Sequence, residues 1–254
     1  MEAVRRGRSA LALLLVLLLF PLGAVPFYAL VVPLVWLRPA RRPALVAAFM
    51  KAMSTSILGG LKLGGARFRL EGALPTNEPV LIVANHQSLL DICVATLLAR
   101  PRVPTFVTRK RYARFIPLVS PCVRMLGCPI VDPEVDRRGA VSAIRRGART
   151  LEGGLLIFPE GHRTRDGSLS PFKGAGIRAA LEERRMPVYL LVGDGLWKTR
   201  GLLDFALKTH QLRGETRVVG PIAPPDDDRE LERFVGTLRD RLLDELGEMR
   251  AGEI

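Results

Sequence analysis

The chain has 254 residues, with 38 Lys and Arg against 25 Asp and Glu, a formal charge of +13. A 48% apolar content excludes a disordered chain, and three cysteines (Cys93, Cys122, Cys128) without metal-ligand spacing exclude a disulfide framework. The charge excess is local: residues 1–131 hold 17 cations and only four acids (Glu2, Glu71, Glu78 and Asp91), whereas residues 132–254 balance. Such a half suits nucleic acid or an anionic membrane.

The first element favours the membrane. Ser9 to Leu37 is a run of 29 uncharged residues dense in Leu, Val and Ala, and roughly 20 such residues cross a bilayer core. It is too long for the apolar part of a signal peptide, and no small-residue cleavage site follows. Pro21, Pro26 and Pro33 interrupt it, and Arg5, Arg6 and Arg8 before it are matched by Arg38, Arg41 and Arg42 after it. A re-entrant or interfacial hairpin bent near Pro21–Pro26 would put both clusters on one face; a single tilted span is the alternative. Pro43 to Leu63 follows with Val46, Phe49, Met50, Met53, Ile57 and Leu61 at helical steps. That stripe serves either the domain core or the membrane surface. Residues 1–63 therefore read as a membrane-anchoring region and 64–254 as one further domain.

Beyond Gly64-Gly65 the pattern becomes α/β: a mixed sheet flanked by helices, with the membrane-associated helices at its N-terminus. Strands are predicted at Ala66–Glu71, Val80–Ala84, Pro104–Thr108, Pro129–Asp132, Leu155–Phe158, Pro187–Val192 and Thr216–Gly220. Helices are predicted near Ser88–Leu98, Leu118–Leu126 and Gly139–Glu152. A last helix begins at Asp226-Asp227-Asp228 and carries the stripe Leu231, Phe234, Leu238, Leu242 and Leu246.

Two segments carry chemistry. Asn85-His86-Gln87-Ser88-Leu89-Leu90-Asp91 leaves a buried strand and enters a helix, where α/β sheets meet ligands. An imidazole there can take a proton from a hydroxyl, and a carboxylate on its other nitrogen fixes the tautomer. A helix-start acid and a loop histidine would leave the same trace. The second, Phe158-Pro159-Glu160-Gly161-His162-Arg163-Thr164-Arg165, opens from an apolar strand into a loop with two guanidinium forks suited to phosphate. Gly161 allows close backbone approach, and Lys173 adds a donor. Backbone N–H groups near the helix start or Gly161 are candidates for receiving an oxyanion.

Asn-His-x4-Asp followed about 70 residues later by Phe-Pro-Glu-Gly-x-Arg resembles the glycerolipid acyltransferase family, over roughly Leu63 to Ile222. The resemblance implies a glycerol-3-phosphate acyltransferase-like fold. It implies transfer of a fatty acyl group from an acyl-CoA or acyl carrier protein thioester to a lysoglycerolipid hydroxyl, with 1-acylglycerol-3-phosphate the leading acceptor. His86 then corresponds to the general base and Asp91 to its partner. Arg163 corresponds to the arginine that holds acceptor phosphate, in a loop shaped by Glu160 and Gly161. Lys110 or Arg111 corresponds to a lysine near the headgroup, after Arg109. No cofactor or metal is implied beyond the thioester co-substrate. The expected partners are membrane lipids and the acyl carrier, at the cytoplasmic face of the inner (plasma) membrane.

Three positions depart from the pattern: Pro133 where an arginine usually follows the strand, His162 where a threonine is usual, and Leu190 in place of a second proline. The first two bear on the acceptor, so another lysophospholipid or a lyso-aminolipid stays open. A different chemistry, a metal-dependent membrane hydrolase with His86 and Asp91 as ligands, needs further donors from His162, His210 or carboxylates. A non-catalytic basic protein is the third reading. Aromatics at 6% and no nucleic-acid motif argue against nucleic acid as its partner.

Overall fold

The computed structural model describes residues 2–199 and 202–252. The uncharged run forms α1 (Glu2–Pro26), a π turn (Phe27–Val31) and α2 (Val32–Leu37). Together they make one helical stretch of 35 residues from Ala3 to Leu37, about 50 Å long at 1.5 Å per residue. The expected bend near Pro21–Pro26 is absent. A proline removes one hydrogen bond, and a helix supported by a packed neighbour tolerates that loss. The chain reverses instead at a 3-10 turn, Pro39–Arg41, and returns as α3 (Arg42–Leu63). Thus α1 and α3 are antiparallel, and they approach so closely that a Cβ on Gly64 would lie 2.6 Å from that of Ala12.

This helix pair lies along the domain. At one end Ser9 is fully buried and its Oγ meets His210 Nδ1 at 3.0 Å. At the other, Phe27, Val35 and Val46 share an apolar cluster with Leu118 and Cys122. The outward face stays bare: only 17% of the most apolar window of Ala3–Leu37 is buried, and Leu11, Leu14, Leu22, Val25 and Trp36 are exposed. Both Ala3–Leu37 and Pro39–Leu63 are long and apolar enough to cross a membrane by length and composition.

The rest is the expected mixed α/β sheet. In chain order come β1 (Arg67–Glu71), β2 (Leu74–Pro75), β3 (Val80–Ala84), α4 (Leu90–Leu98), β4 (Ala99–Arg100), β5 (Thr105–Phe106) and β6 (Thr108–Arg109). Then follow α5 (Val119–Met125), β7 (Ile130–Val131), α6 (Arg137–Arg149), β8 (Gly154–Ile157), α7 (Ala175–Glu183), β9 (Val188–Asp194), α8 (Leu202–Lys208), β10 (Arg213–Ile222) and α9 (Leu231–Ala251). The main sheet runs β1-β10-β9-β3-β8-β5, parallel except between β10 and β9. β3 and β8 are buried at every residue, which explains their unbroken apolar runs. Leu81, Val83, Leu155 and Ile157 face α6, α7 and α9, whereas Val80, Ile82, Ala84 and Leu156 share a core with α3 and α4. The predicted stripe of α9 is there, with Val235 and Met249 buried beside Leu238, Leu242 and Leu246.

Helices α7 and α8 were not foreseen. α7 is nine residues and α8 seven, too short to show a helical period. The strand expected over Pro104–Thr108 is divided into β5 and β6, which pair in different sheets.

Candidate active site

β3, paired on both sides by β9 and β8, delivers Asn85 and His86 just beyond its C-terminal end, and α4 brings Asp91 back toward them. One carboxylate oxygen, Asp91 Oδ2, receives three hydrogen bonds: from His86 Nδ1 at 2.7 Å, from the Gln87 N–H at 2.7 Å and from the Ser88 N–H at 2.9 Å. Asp91 is therefore both the cap of its own loop and the partner of the imidazole; the structural and catalytic readings coexist in one side chain. Because the carboxylate accepts, Nδ1 carries the hydrogen and Nε2 is left as an acceptor. The ring stacks on Phe158 at 4.2 Å between centroids, which fixes its plane, and the side chain keeps 20% exposure.

β8 delivers the second segment alongside the first. Glu160, expected at the substrate, is 1% exposed and committed elsewhere. Its Oε1 accepts the His86 N–H at 2.8 Å and its Oε2 the Ser170 N–H at 2.9 Å. A buried carboxylate saturated by backbone donors holds loops together, so Glu160 is moved from substrate contact to scaffolding. The Thr164 N–H donates to the His86 carbonyl at 2.8 Å and completes the seam. The backbone groups expected to receive an oxyanion are also engaged: Gln87 and Ser88 with Asp91, and the Gly161 N–H with the Phe158 carbonyl at 3.1 Å.

Gly161 has a φ of +72°, and a Cβ there would come within 3.1 Å of Lys173 Nζ. Its carbonyl accepts Arg109 Nη2 at 2.8 Å, while Arg109 Nη1 meets Glu134 at 2.5 Å. The Arg109 guanidinium, with Arg111 and Lys173 nearby, draws the Glu134 carboxyl below its ordinary range. Of the basic triplet it is thus Arg109 that reaches the loop. Lys110 and Arg111 lie exposed on the following 3-10 turn, and Arg111 stacks over Tyr112 at 4.9 Å. Arg163 is exposed beside His162 and Arg165, in a depression that Asp166, Ser168 and Ser170 also line. Asp166 is held down at about 2 by the Ser168 hydroxyl and N–H.

Sequence reasoning missed a second tier behind His86. The Asn85 amide bonds both backbone groups of Gly193, donating at 2.7 Å and accepting at 2.9 Å. Gln87 donates to Asp194 at 3.1 Å and accepts the Leu196 N–H at 3.1 Å. Asp194 also receives Arg250 Nε from α9 at 2.7 Å. Burial alone would raise the Asp194 carboxyl, yet the bonds from Arg250 and Gln87 outweigh it and leave it lowered. Asn85 and Gln87 flank the motif and so had a signal; Asp194 and Arg250, far off in sequence, had none.

Among the described residues no three His, Cys, Asp or Glu side chains group as metal ligands. The cysteines are free thiols, and burial pushes Cys93 to about 11 and both Cys122 and Cys128 to about 12, so none offers a thiolate near neutral pH.

A family model described as Acyltransferase matches residues 66–191. A chloroplastic 1-acyl-sn-glycerol-3-phosphate acyltransferase of Brassica napus is 34% identical over 129 residues, 50% of this chain and 36% of that one. The mouse 1-acyl-sn-glycerol-3-phosphate acyltransferase alpha is 29% identical over 194 residues, 70% of this chain and 64% of its own. The chain spans about a third to a half of the length of the plant and algal relatives it matches. The crystal structure of the 1-acyl-sn-glycerophosphate acyltransferase PlsC from Thermotoga maritima superposes with a TM-score of 0.73, covering 97% of this chain and 98% of that one. At 20% identity that likeness speaks to the fold.

Proposed function

The chain belongs to the PlsC-type glycerolipid acyltransferase family, and from that premise we propose that it moves a fatty acyl group from a thioester to the free hydroxyl of 1-acylglycerol-3-phosphate. The observation that carries this is the His86–Asp91 pair at 2.7 Å, with Nε2 left as an acceptor. The acceptor hydroxyl gives its proton to Nε2 as its oxygen attacks the thioester carbonyl. Asp91 stabilises the imidazolium that forms. Collapse of the tetrahedral species expels the thiolate, which recovers the proton from His86. The thioester is already activated, so no covalent enzyme intermediate is needed.

Arg163, exposed and facing the loop depression, is the proposed phosphate contact, with Arg109 and Lys173 flanking Gly161. Arg111 and Lys110 border the same approach from further out. Residues 1–63 form the anchor and 64–254 the catalytic domain. A hairpin docked along its length lies in the plane of a membrane rather than across it. Arg5, Arg6 and Arg8 at one end and Arg38, Arg41 and Arg42 at the other then meet one leaflet, the cytoplasmic one by their charge.

A second reading keeps the reaction and changes the acceptor. Pro133 stands where the family arginine would be, and the neighbouring Glu134 already occupies Arg109. Both reduce the positive charge free to meet a phosphate, which favours another lysolipid headgroup. The deciding experiment presents purified protein with acyl-CoA or acyl carrier protein thioesters and a panel of acceptors. The panel holds glycerol-3-phosphate, lysophosphatidic acid, lysophosphatidylcholine and a lyso-aminolipid. Acylation of lysophosphatidic acid, lost in His86→Ala, is expected. No acylation of any acceptor from either donor would overturn the enzyme reading.

A further inference from the structure

Phe115 is 97% exposed, the barest large apolar side chain among the described residues, and its φ is +62°. Positive φ is uncommon outside glycine, and for a bulky aromatic it is a true outlier. Such a conformation persists only where the surroundings over-determine it. Here they do. Ser120, 2% exposed, ties both arms of the bend, its Oγ donating to the Tyr112 carbonyl at 3.0 Å and accepting the Ile116 N–H at 3.0 Å. Arg124 Nη1 holds the Ala113 carbonyl at 2.8 Å. Leu118, also at positive φ (+64°), is 4% exposed and seated beside Gly23 and Phe27 of the N-terminal hairpin. The loop is a rigid mount that presents an aromatic ring to its outside and nothing to its inside.

We infer that Phe115 is a wedge that enters the headgroup layer of an anionic bilayer, a second membrane contact beside the N-terminal hairpin. This rests on the reading that the bare face of the hairpin meets lipid. Two observations select lipid as the occupant. The first is continuity: Leu118 packs beside Gly23 of α1, and three residues of chain span at most ~10 Å. Phe115 Cα therefore lies within about that distance of Leu118, which is seated on a hairpin whose Leu22 and Val25 are exposed. The second is charge. Lys110, Arg111 and Arg114 are exposed around it, and the sequence holds no acid between Asp91 and Asp132. Glu134, a carboxylate in electrostatic reach of Arg111, is engaged by Arg109. A ring with a cationic rim matches an interface where apolar and anionic layers meet. The mount begins one residue after Arg109, which bonds the Gly161 carbonyl. The wedge therefore sets the height of the His86 site above the lipid.

The test uses Phe115→Cys in the full chain, carrying an environment-sensitive fluorophore. Burial raises the native thiols to about 11 to 12, and Cys122 and Cys128 are buried; the unsubstituted chain, treated alike, is the blank for the half-buried Cys93. On vesicles of phosphatidylglycerol and phosphatidylcholine the emission shifts to the blue, and a nitroxide near the headgroups quenches it. Both effects shrink on pure phosphatidylcholine. The same probe at Leu243→Cys on α9, across the sheet, does not respond. In parallel Phe115→Ala passes between vesicles about tenfold faster, as loss of one buried aromatic implies. A water-like emission at position 115 on vesicles that retain the protein overturns the wedge alone. A blue shift without lipid, growing with protein concentration, names a second copy as the occupant and also overturns it. Failure to bind vesicles at all overturns the hairpin reading with it. None of these readouts requires acyl transfer.

Discussion

Asp91→Asn separates the two jobs of Asp91. All three donors converge on Oδ2, at 2.7 Å, 2.7 Å and 2.9 Å. An asparagine with its oxygen in that place keeps every one of those bonds and the imidazole tautomer. What it loses is charge. A full imidazolium at 2.7 Å from a carboxylate gains about 6 kcal/mol at an effective dielectric of about 20. The transition state carries part of that charge, and the amide oxygen keeps a hydrogen bond of about 1.5–3 kcal/mol to it. The net loss is about 2–4 kcal/mol of transition-state stabilisation, or roughly 30- to 1000-fold in kcat. KM for both substrates stays near that of the parent. His86→Ala falls about 10²- to 10⁴-fold, and the double variant is no worse than His86→Ala, because Asp91 acts through the imidazole. Asp91→Ala is less informative, since it also strips the cap from two backbone N–H groups at about 1–3 kcal/mol each. Steady-state acyl transfer on mixed micelles measures all four proteins. A kcat for Asp91→Asn within threefold of the parent, or a further loss when it is added to His86→Ala, would refute the assignment.

If acceptor phosphate displaces Glu134 from Arg109, Glu134→Gln lowers KM for lysophosphatidic acid by about three- to tenfold at low salt. An unchanged KM puts the phosphate elsewhere. Burial raises the thiols of Cys93, Cys122 and Cys128, and Cys122 and Cys128 are also buried from solvent. At pH 8 a thiol reagent is therefore expected to titrate at most the half-buried Cys93 in the native protein and all three in the denatured chain. Asp194 is lowered in the folded chain, so its pair with Arg250 stabilises above the ordinary carboxylate value of about 3.9. That contribution fades as pH falls through the lower folded value. Arg250→Ala should flatten the acid side of a plot of melting temperature against pH, and a parallel displaced curve would remove Asp194 from the account.

The His86–Asp91 contact was legible in the sequence because it is local. His86 and Asp91 lie five residues apart, and the geometry that joins them needs only a strand end and a helix start. The same holds for β3 and β8, whose apolar runs state that both their faces are covered. What failed was whatever depended on register or on distant partners. β5 and β6 are two residues each, and no alternation survives over that length. Lys110 and Arg111 were therefore favoured over Arg109, the residue that turns inward. Glu160 is grouped with the substrate loop by the family resemblance, and the structure gives it the loop-shaping part alone. Its two backbone partners, His86 and Ser170, are visible only once β3 and β8 lie side by side.

The N-terminal helix failed for the opposite reason, an excess of weight on local rules. Three prolines in a 29-residue run argue for a bend when the helix is considered alone. The pair of helices is not alone: Gly64 admits α1 against α3, and Ser9 is pinned to His210 across the domain. Those contacts let the chain stay helical through Pro21 and Pro26, and the reversal comes at Pro39–Arg41. The arginine clusters flank the docked hairpin at its two ends, and Arg8 Nη2 donates to the Leu63 carbonyl at 3.1 Å. If the hairpin is the proposed anchor, holding it along the rest of the chain would fix orientation as well as attachment. On the membrane reading proposed above, the same docking would fix how the His86–Asp91 pair, joined at 2.7 Å, is presented to a lipid substrate.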